Sequence, residues 1–144
     1  MFYLIQRLFA PVPTALPVAD ADLALAALLV RVARTDRMYA IEEVERIDRI
    51  LMARHGFGSF EAAAMRAAAE KLEAEAPDTV RFTRVLKEAV ALEDRMALVV
   101  ALWEVALADG QRDAEEDHEL RLLSGLLGLT DVESAAARQR AAIE

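Results

Sequence analysis

The chain contains no cysteine, which excludes thiolate zinc sites, disulfides and thiol catalysis. Glycine and proline are scarce, with five and four copies in 144 residues, and that scarcity favours helix over strand. There is no excess of basic charge. The formal net charge is −8, which argues against a face that tracks nucleic-acid phosphates and against a surface that seeks acidic lipid. Long apolar runs are missing too. The longest, Leu23 to Val30 and Met96 to Trp103, fall far short of the ~20 residues a membrane span needs. Met1 to Phe9 is apolar with one charge, Arg7, and is too short for a signal peptide's charged region plus core. It reads as a strip that covers the bundle or lies on a membrane or partner.

What is present is helix-forming. Residues 1–19 divide into a short helix expected over 2–9 and a linker set by Pro11, Pro13 and Pro17. Asp20 or Asp22 can cap a helix to about Arg34, apolar nearly all round, with Arg31 its only internal charge. A second helix is expected over 41–55, with Val44, Ile47, Ile50 and Leu51 at helical spacing and glycines at 56 and 58 to stop it. Further helices are expected at 59–76, ended by Pro77, at 78–90, at 93–108, at 114–127 and at 131–143. The fold class is therefore all-α: one domain over 20–144, a bundle of about seven helices.

The halves also resemble each other. Shifted by 73 residues, Leu29-Val30-Arg31-Val32-Ala33 meets Leu102-Trp103-Glu104-Val105-Ala106, Asp36 meets Asp109, and Glu42-Glu43 meets Glu115-Glu116. Ile47 and Ile50 meet Leu120 and Leu123. The expectation is an internal repeat, about 22–67 and 95–141, arranged as a pseudo-two-fold bundle around two apolar helices.

In each repeat an aspartate ends the apolar helix and a glutamate follows seven residues later: Asp36 with Glu43, and Asp109 with Glu116. A glutamate in a helix's first turn is favoured by the dipole, whereas an aspartate at a C-terminus would gain from a cation. If the two links converge, four carboxylates form an all-oxygen site suited to Ca²⁺, Mg²⁺ or Mn²⁺ and poorly suited to zinc. The competing reading is structural. Asp113-Ala114-Glu115-Glu116 is a serviceable cap, Asp109-Gly110 an ordinary turn, and Arg34 or Arg37 could neutralise Asp36. Repeat one fits capping less well, because Ala40 stands at the cap position. The two readings stand level on the residues alone.

Other chemistries find no support. Asp109 to Leu120 is not an EF-hand loop, since its glycine comes second and Leu120 occupies the twelfth place. Glu115-x-x-His118 supplies one such pair where a di-iron centre needs two. There is no His-Glu-x-x-His, phosphate loop or Gly-x-Ser-x-Gly. His55 and His118 read as helix-end or surface residues, Trp103 as core, and Glu70 to Glu75 as a solvated face.

Leu102 to Gly110, followed by Glu115-Glu116 and Leu120-Arg121, resembles the second half of a TerB-like (tellurite-resistance-associated) domain, and Arg81-Phe82-Thr83-Arg84 is similar to the segment before it in one subgroup. The likeness covers about Asp22 to Ala142. It implies a helical bundle with a divalent-cation site at Asp36, Glu43, Asp109 and Glu116. It also implies a cytoplasmic protein, peripheral to the inner membrane, and the leading reading of the chain is a non-enzymatic cation-binding or scaffolding module. Such a protein would act through protein partners, some membrane-associated, in tellurite or other stress responses. A homo-oligomer is compatible with it. The chain departs from the family pattern at Thr35-Asp36-Arg37, which replaces Ala-Asp-Gly and sets a positive charge beside one ligand. A purely structural module is the alternative. A metal-dependent hydrolase is the third reading, with no evident general base.

Overall fold

The computed structural model describes residues 21–35, 39–76, 79–108 and 114–143, with backbone alone at 114–116. The segment expected over 1–19 lies outside them. Among the described residues there are seven helices and no strand: α1 (Ala21–Arg34), α2 (Ile41–His55), α3 (Ser59–Glu75), α4 (Val80–Ala89), α5 (Leu92–Ala106), α6 (Ala114–Leu126) and α7 (Asp131–Ile143). The all-α bundle expected from periodicity is the fold observed. No helix among the described residues is long and apolar enough to cross a membrane.

The mostly apolar α1 sits at the centre. Leu25, Leu28, Leu29, Val30 and Val32 are all buried, and the helix packs mainly on α3, with α4, α5, α2 and α6 around it. Burying a leucine or valine side chain in this way stabilises the fold by roughly 1.5–3 kcal/mol each before entropy is counted. The second apolar helix, α5, buries Leu98, Val99, Leu102, Trp103 and Val105, and packs mainly on α7 while also touching α1. The amphipathic helices lay narrower stripes on this pair. Ile47 and Leu51 point inward from α2, Phe82, Val85 and Leu86 from α4, and Leu120 and Leu123 from the α6 segment.

Helix ends are set locally. Gly56 closes α2 in the left-handed region at φ 67°, donating its amide to the Met52 carbonyl at 2.9 Å. Gly128, at φ 88°, follows α6 in the same way. Thr130 and Glu133 form a reciprocal capping box at the start of α7: the Thr130 amide donates to Glu133 Oε1 at 2.9 Å, and the Glu133 amide donates to Thr130 Oγ1 at 3.1 Å. These bonds hold the Glu133 carboxyl below its ordinary range.

Arg95 is a tertiary fastener. Its guanidinium donates to three backbone carbonyls: Val90 at 3.0 Å, Lys87 at 3.0 Å and Leu127 at 3.2 Å. One side chain thus satisfies the ends of both α4 and α6, whose last carbonyls have no partner within their own helices.

Candidate functional site

The candidate site lies where α1 ends and α2 begins, together with the start of α6. Glu43 is the third residue of α2 and is fully buried, on the same face as Ile47 and Leu51. Its Oε1 accepts the Ala40 amide proton at 3.0 Å. Ala40 has an extended backbone and no side-chain acceptor, so only the glutamate's half of a capping box can form. A carboxylate here also faces the positive end of the α2 dipole. Glu116 is likewise the third residue of its helix, α6. Asp36, Arg37, Asp109 and Asp113, and the Glu116 side chain, lie outside the described residues. Among the described residues no group of three or more acidic, histidine or cysteine side chains is assembled for a metal ion.

The frame around the first link is well defined. Arg34, the last residue of α1, stacks its guanidinium 5.2 Å from the centre of the Tyr39 ring. The residues on either side of positions 36–38 are therefore in contact. Thr35 Oγ1 donates to the Arg31 carbonyl at 2.9 Å.

Arg34 Nη1 donates to Glu73 Oε2 at 2.7 Å and to the Glu70 carbonyl at 3.3 Å, while Arg31 Nη1 donates to Glu73 Oε1 at 3.3 Å. Glu73 is only 7% exposed. This corrects the expectation of a solvated face over Glu70 to Glu75. Glu73 shares the inward face of α3 with Ala62 and Ala69, and there it meets the two arginines that end α1.

The network continues. Tyr39 donates its hydroxyl to Glu70 Oε2 at 2.8 Å, and Arg66 donates to the same oxygen at 3.2 Å and to Asp48 Oδ1 at 2.6 Å. Burial, with the hydrogen bond to Glu70 second, pushes the Tyr39 phenol well above its ordinary value. The hydrogen bond to Asp48 raises Arg66 further, so that guanidinium is permanently charged. Three helices, α1, α2 and α3, are thereby tied around the first link.

A cleft of 340 Å³ adjoins this frame, lined by Arg31, Arg34, Thr35, Glu73 and Glu119. Thr35 directly precedes Asp36, and Glu119 stands one helical turn beyond Glu116. The end of α1 and the early part of α6 therefore face one common space.

The other expected residues fall as follows. His118 is exposed. His55 ends α2, stacked on Phe57 at 5.0 Å between centroids, with Nδ1 3.9 Å from Asp22 Oδ2. Trp103 is core: its indole N–H donates to Ser134 Oγ at 3.3 Å, Ser134 Oγ lies 2.9 Å from Ser124 Oγ, and Ser124 donates to the Leu120 carbonyl at 2.7 Å. Arg138 stacks above the same indole at 5.3 Å. Sequence reasoning missed Glu73, although its helical phase with Ala62 and Ala69 carried the signal.

The family model described as "Tellurite resistance protein TerB" matches residues 22–139, most of the chain. No curated protein and no solved structure matches it.

Proposed function

The chain belongs to the tellurite resistance protein TerB family, and from that premise we propose that it is a non-enzymatic, cation-responsive module acting through protein partners. In this reading Asp36 and Glu43 of the first link, and Asp109 and Glu116 of the second, hold one divalent cation among Ca²⁺, Mg²⁺ and Mn²⁺. The observation that carries it is the shared cleft. Thr35 and Glu119, close neighbours in sequence of Asp36 and Glu116, line one space at one end of the bundle. The buried Glu43 adds a carboxylate beside the same link, and oxygen ligands suit hard cations.

Arg34 lines the same cleft, where its charge would oppose a cation unless it is neutralised. Its Nη1 is held by Glu73 and the Glu70 carbonyl, which draws the guanidinium toward α3. When bound, a cation would supply the charge that lets acidic groups from both halves share one space. Binding only to the folded state would stabilise it by about 2.7 kcal/mol at a hundred times Kd. A partner could then read the cation-bound state as a stiffer, less acidic end of the bundle. A role in tellurite or other stress responses is part of this proposal and rests on family membership alone.

A second reading, structural caps with no metal, is favoured by the Glu43 Oε1 bond to the Ala40 amide. Thermal unfolding of chelator-stripped protein separates the two. The cation reading expects Ca²⁺, Mg²⁺ or Mn²⁺ to raise the melting temperature, and expects Glu43→Gln to abolish that response. An unchanged melting temperature with all three ions leaves capping as the account.

A further inference from the structure

A groove of 490 Å³ runs between α2 and α5, apart from the cleft described above. Its floor is apolar and low: Ile50 from α2, and Ala97 and Ala101 one turn apart on α5. Along the α2 side stand Arg46, Arg49 and Arg54. This concentration of positive charge is set in a chain of net charge −8.

These arginines differ from four others in the fold. Arg31, Arg34, Arg66 and Arg95 are each committed to carboxylates or carbonyls within the chain. Arg46, Arg49 and Arg54 make no ion pair or hydrogen bond among the described residues. Glu42 and Glu45 each precede an arginine by four residues, a spacing at which a helical ion pair can close. Those pairs do not form. The three guanidiniums instead line a groove whose floor offers them no counter-charge, with Glu104 on the α5 side as the only acidic residue among its described lining.

We infer that this groove docks an acidic amphipathic helix from a partner protein. Alanines at 97 and 101 present nothing beyond a methyl group, so a helix backbone can approach closely, with its apolar stripe on Ile50 and the alanines. Arg46 and Arg54 stand eight residue steps apart on the helix, about 12 Å or just over two turns. A partner helix with carboxylates on one flank over that length would meet all three arginines. Charge complementarity selects this occupant. The overall negative charge opposes a phosphate backbone or an anionic bilayer over a large area, whereas one helix touches only the basic strip. The groove shares no lining residue with the cleft at the end of α1, and the inference does not depend on the cation reading.

The test uses the full chain and a synthetic, fluorescein-labelled helical peptide of about five turns, with leucines at helical spacing and glutamates on both flanks. A peptide with lysine for every glutamate serves as control. Binding is read by fluorescence anisotropy, without divalent ions. The expected result is saturable binding of the acidic peptide, at least tenfold weaker for the Arg46→Gln/Arg49→Gln/Arg54→Gln protein, with no binding of the lysine peptide. Ala97→Gln, which fills the floor from an exposed position, should weaken binding as well. Both variants should melt with the parent, since the arginines have no partner among the described residues to lose and Ala97 is exposed. No binding of the acidic peptide, or binding unaffected by either variant, would overturn the inference. So would arginine-dependent binding to phosphatidylglycerol vesicles that exceeds binding to the peptide.

Discussion

Replacing Glu73 with Gln keeps the side chain's shape and removes its charge, leaving Arg31 and Arg34 at the end of α1 without their shared counter-ion. The geometry sets the magnitude. One contact is short and well made, Arg34 to Oε2 at 2.7 Å; the other is longer, Arg31 to Oε1 at 3.3 Å. Hydrogen bonds to charged groups contribute about 1.5–3 kcal/mol each when protected from water. The carboxylate is nearly buried, but each arginine side chain is about a third exposed, at 32% and 34%, so water recovers part of the loss. We expect Glu73→Gln to cost about 2 kcal/mol in total. At roughly 3 °C per kcal/mol for a domain of this size, the melting temperature should fall by about 6 °C.

The assay is urea unfolding followed by Trp103 fluorescence, reading the midpoint at constant slope. Glu75→Gln, exposed two residues away, is the control and should stay within about 0.5 kcal/mol. A double-mutant cycle with Arg34→Gln should return a coupling of about 1 kcal/mol or more. A Glu73→Gln protein indistinguishable from the Glu75→Gln protein would refute the view that this pair fastens α1 to α3.

Gly56→Ala should cost about 1 kcal/mol, the strain of a left-handed alanine in open space. Gly128→Ala should cost about 1 kcal/mol more, because its Cβ would stand 3.1 Å from Arg95 Nη1 and disturb the bond to the Leu127 carbonyl; equal denaturant midpoints for the two would contradict this. The Tyr39 phenol is raised in the folded state, so its contribution to stability is complete below the unfolded value near 10 and is lost as pH rises above it. Stability should therefore decline above pH 10 more steeply in the parent than in Tyr39→Phe, measured by urea unfolding from pH 9 to 11, and parallel declines would argue against a raised Tyr39 phenol.

Several helices were legible because a stop residue follows them in the sequence: Gly56 after α2, Pro77 after α3, Gly110 and Gly128 around α6. The central position of α1 followed from a helix with no polar face. Glu73 was less visible. The run Lys71-Leu72-Glu73-Ala74-Glu75 looks solvated by composition, yet Glu73 lies four residues from Ala69 and eleven from Ala62, on the inward face. Phase outweighed composition there, and the partners were arginines some forty residues away that no local pattern could supply. Glu43 repeats the lesson, since its burial follows its register with Ile47 and Leu51. Arg95 and the α2–α5 groove arise from how separate helices meet, which single-helix periodicity does not encode. Of the candidate cation ligands, the motif marked Glu43 and its place in the first turn of α2. The convergence of the α1 end with α6 became visible only through the cleft that Thr35 and Glu119 line together.

The most direct test of the cation reading is isothermal titration of chelator-stripped protein with Ca²⁺, Mg²⁺ and Mn²⁺, beside the Asp109→Asn/Glu116→Gln variant. The account expects one cation to bind the parent protein and none to bind the variant. Heats no greater for the parent than for the variant would contradict it and leave the acidic links as helix caps and salt-bridge partners.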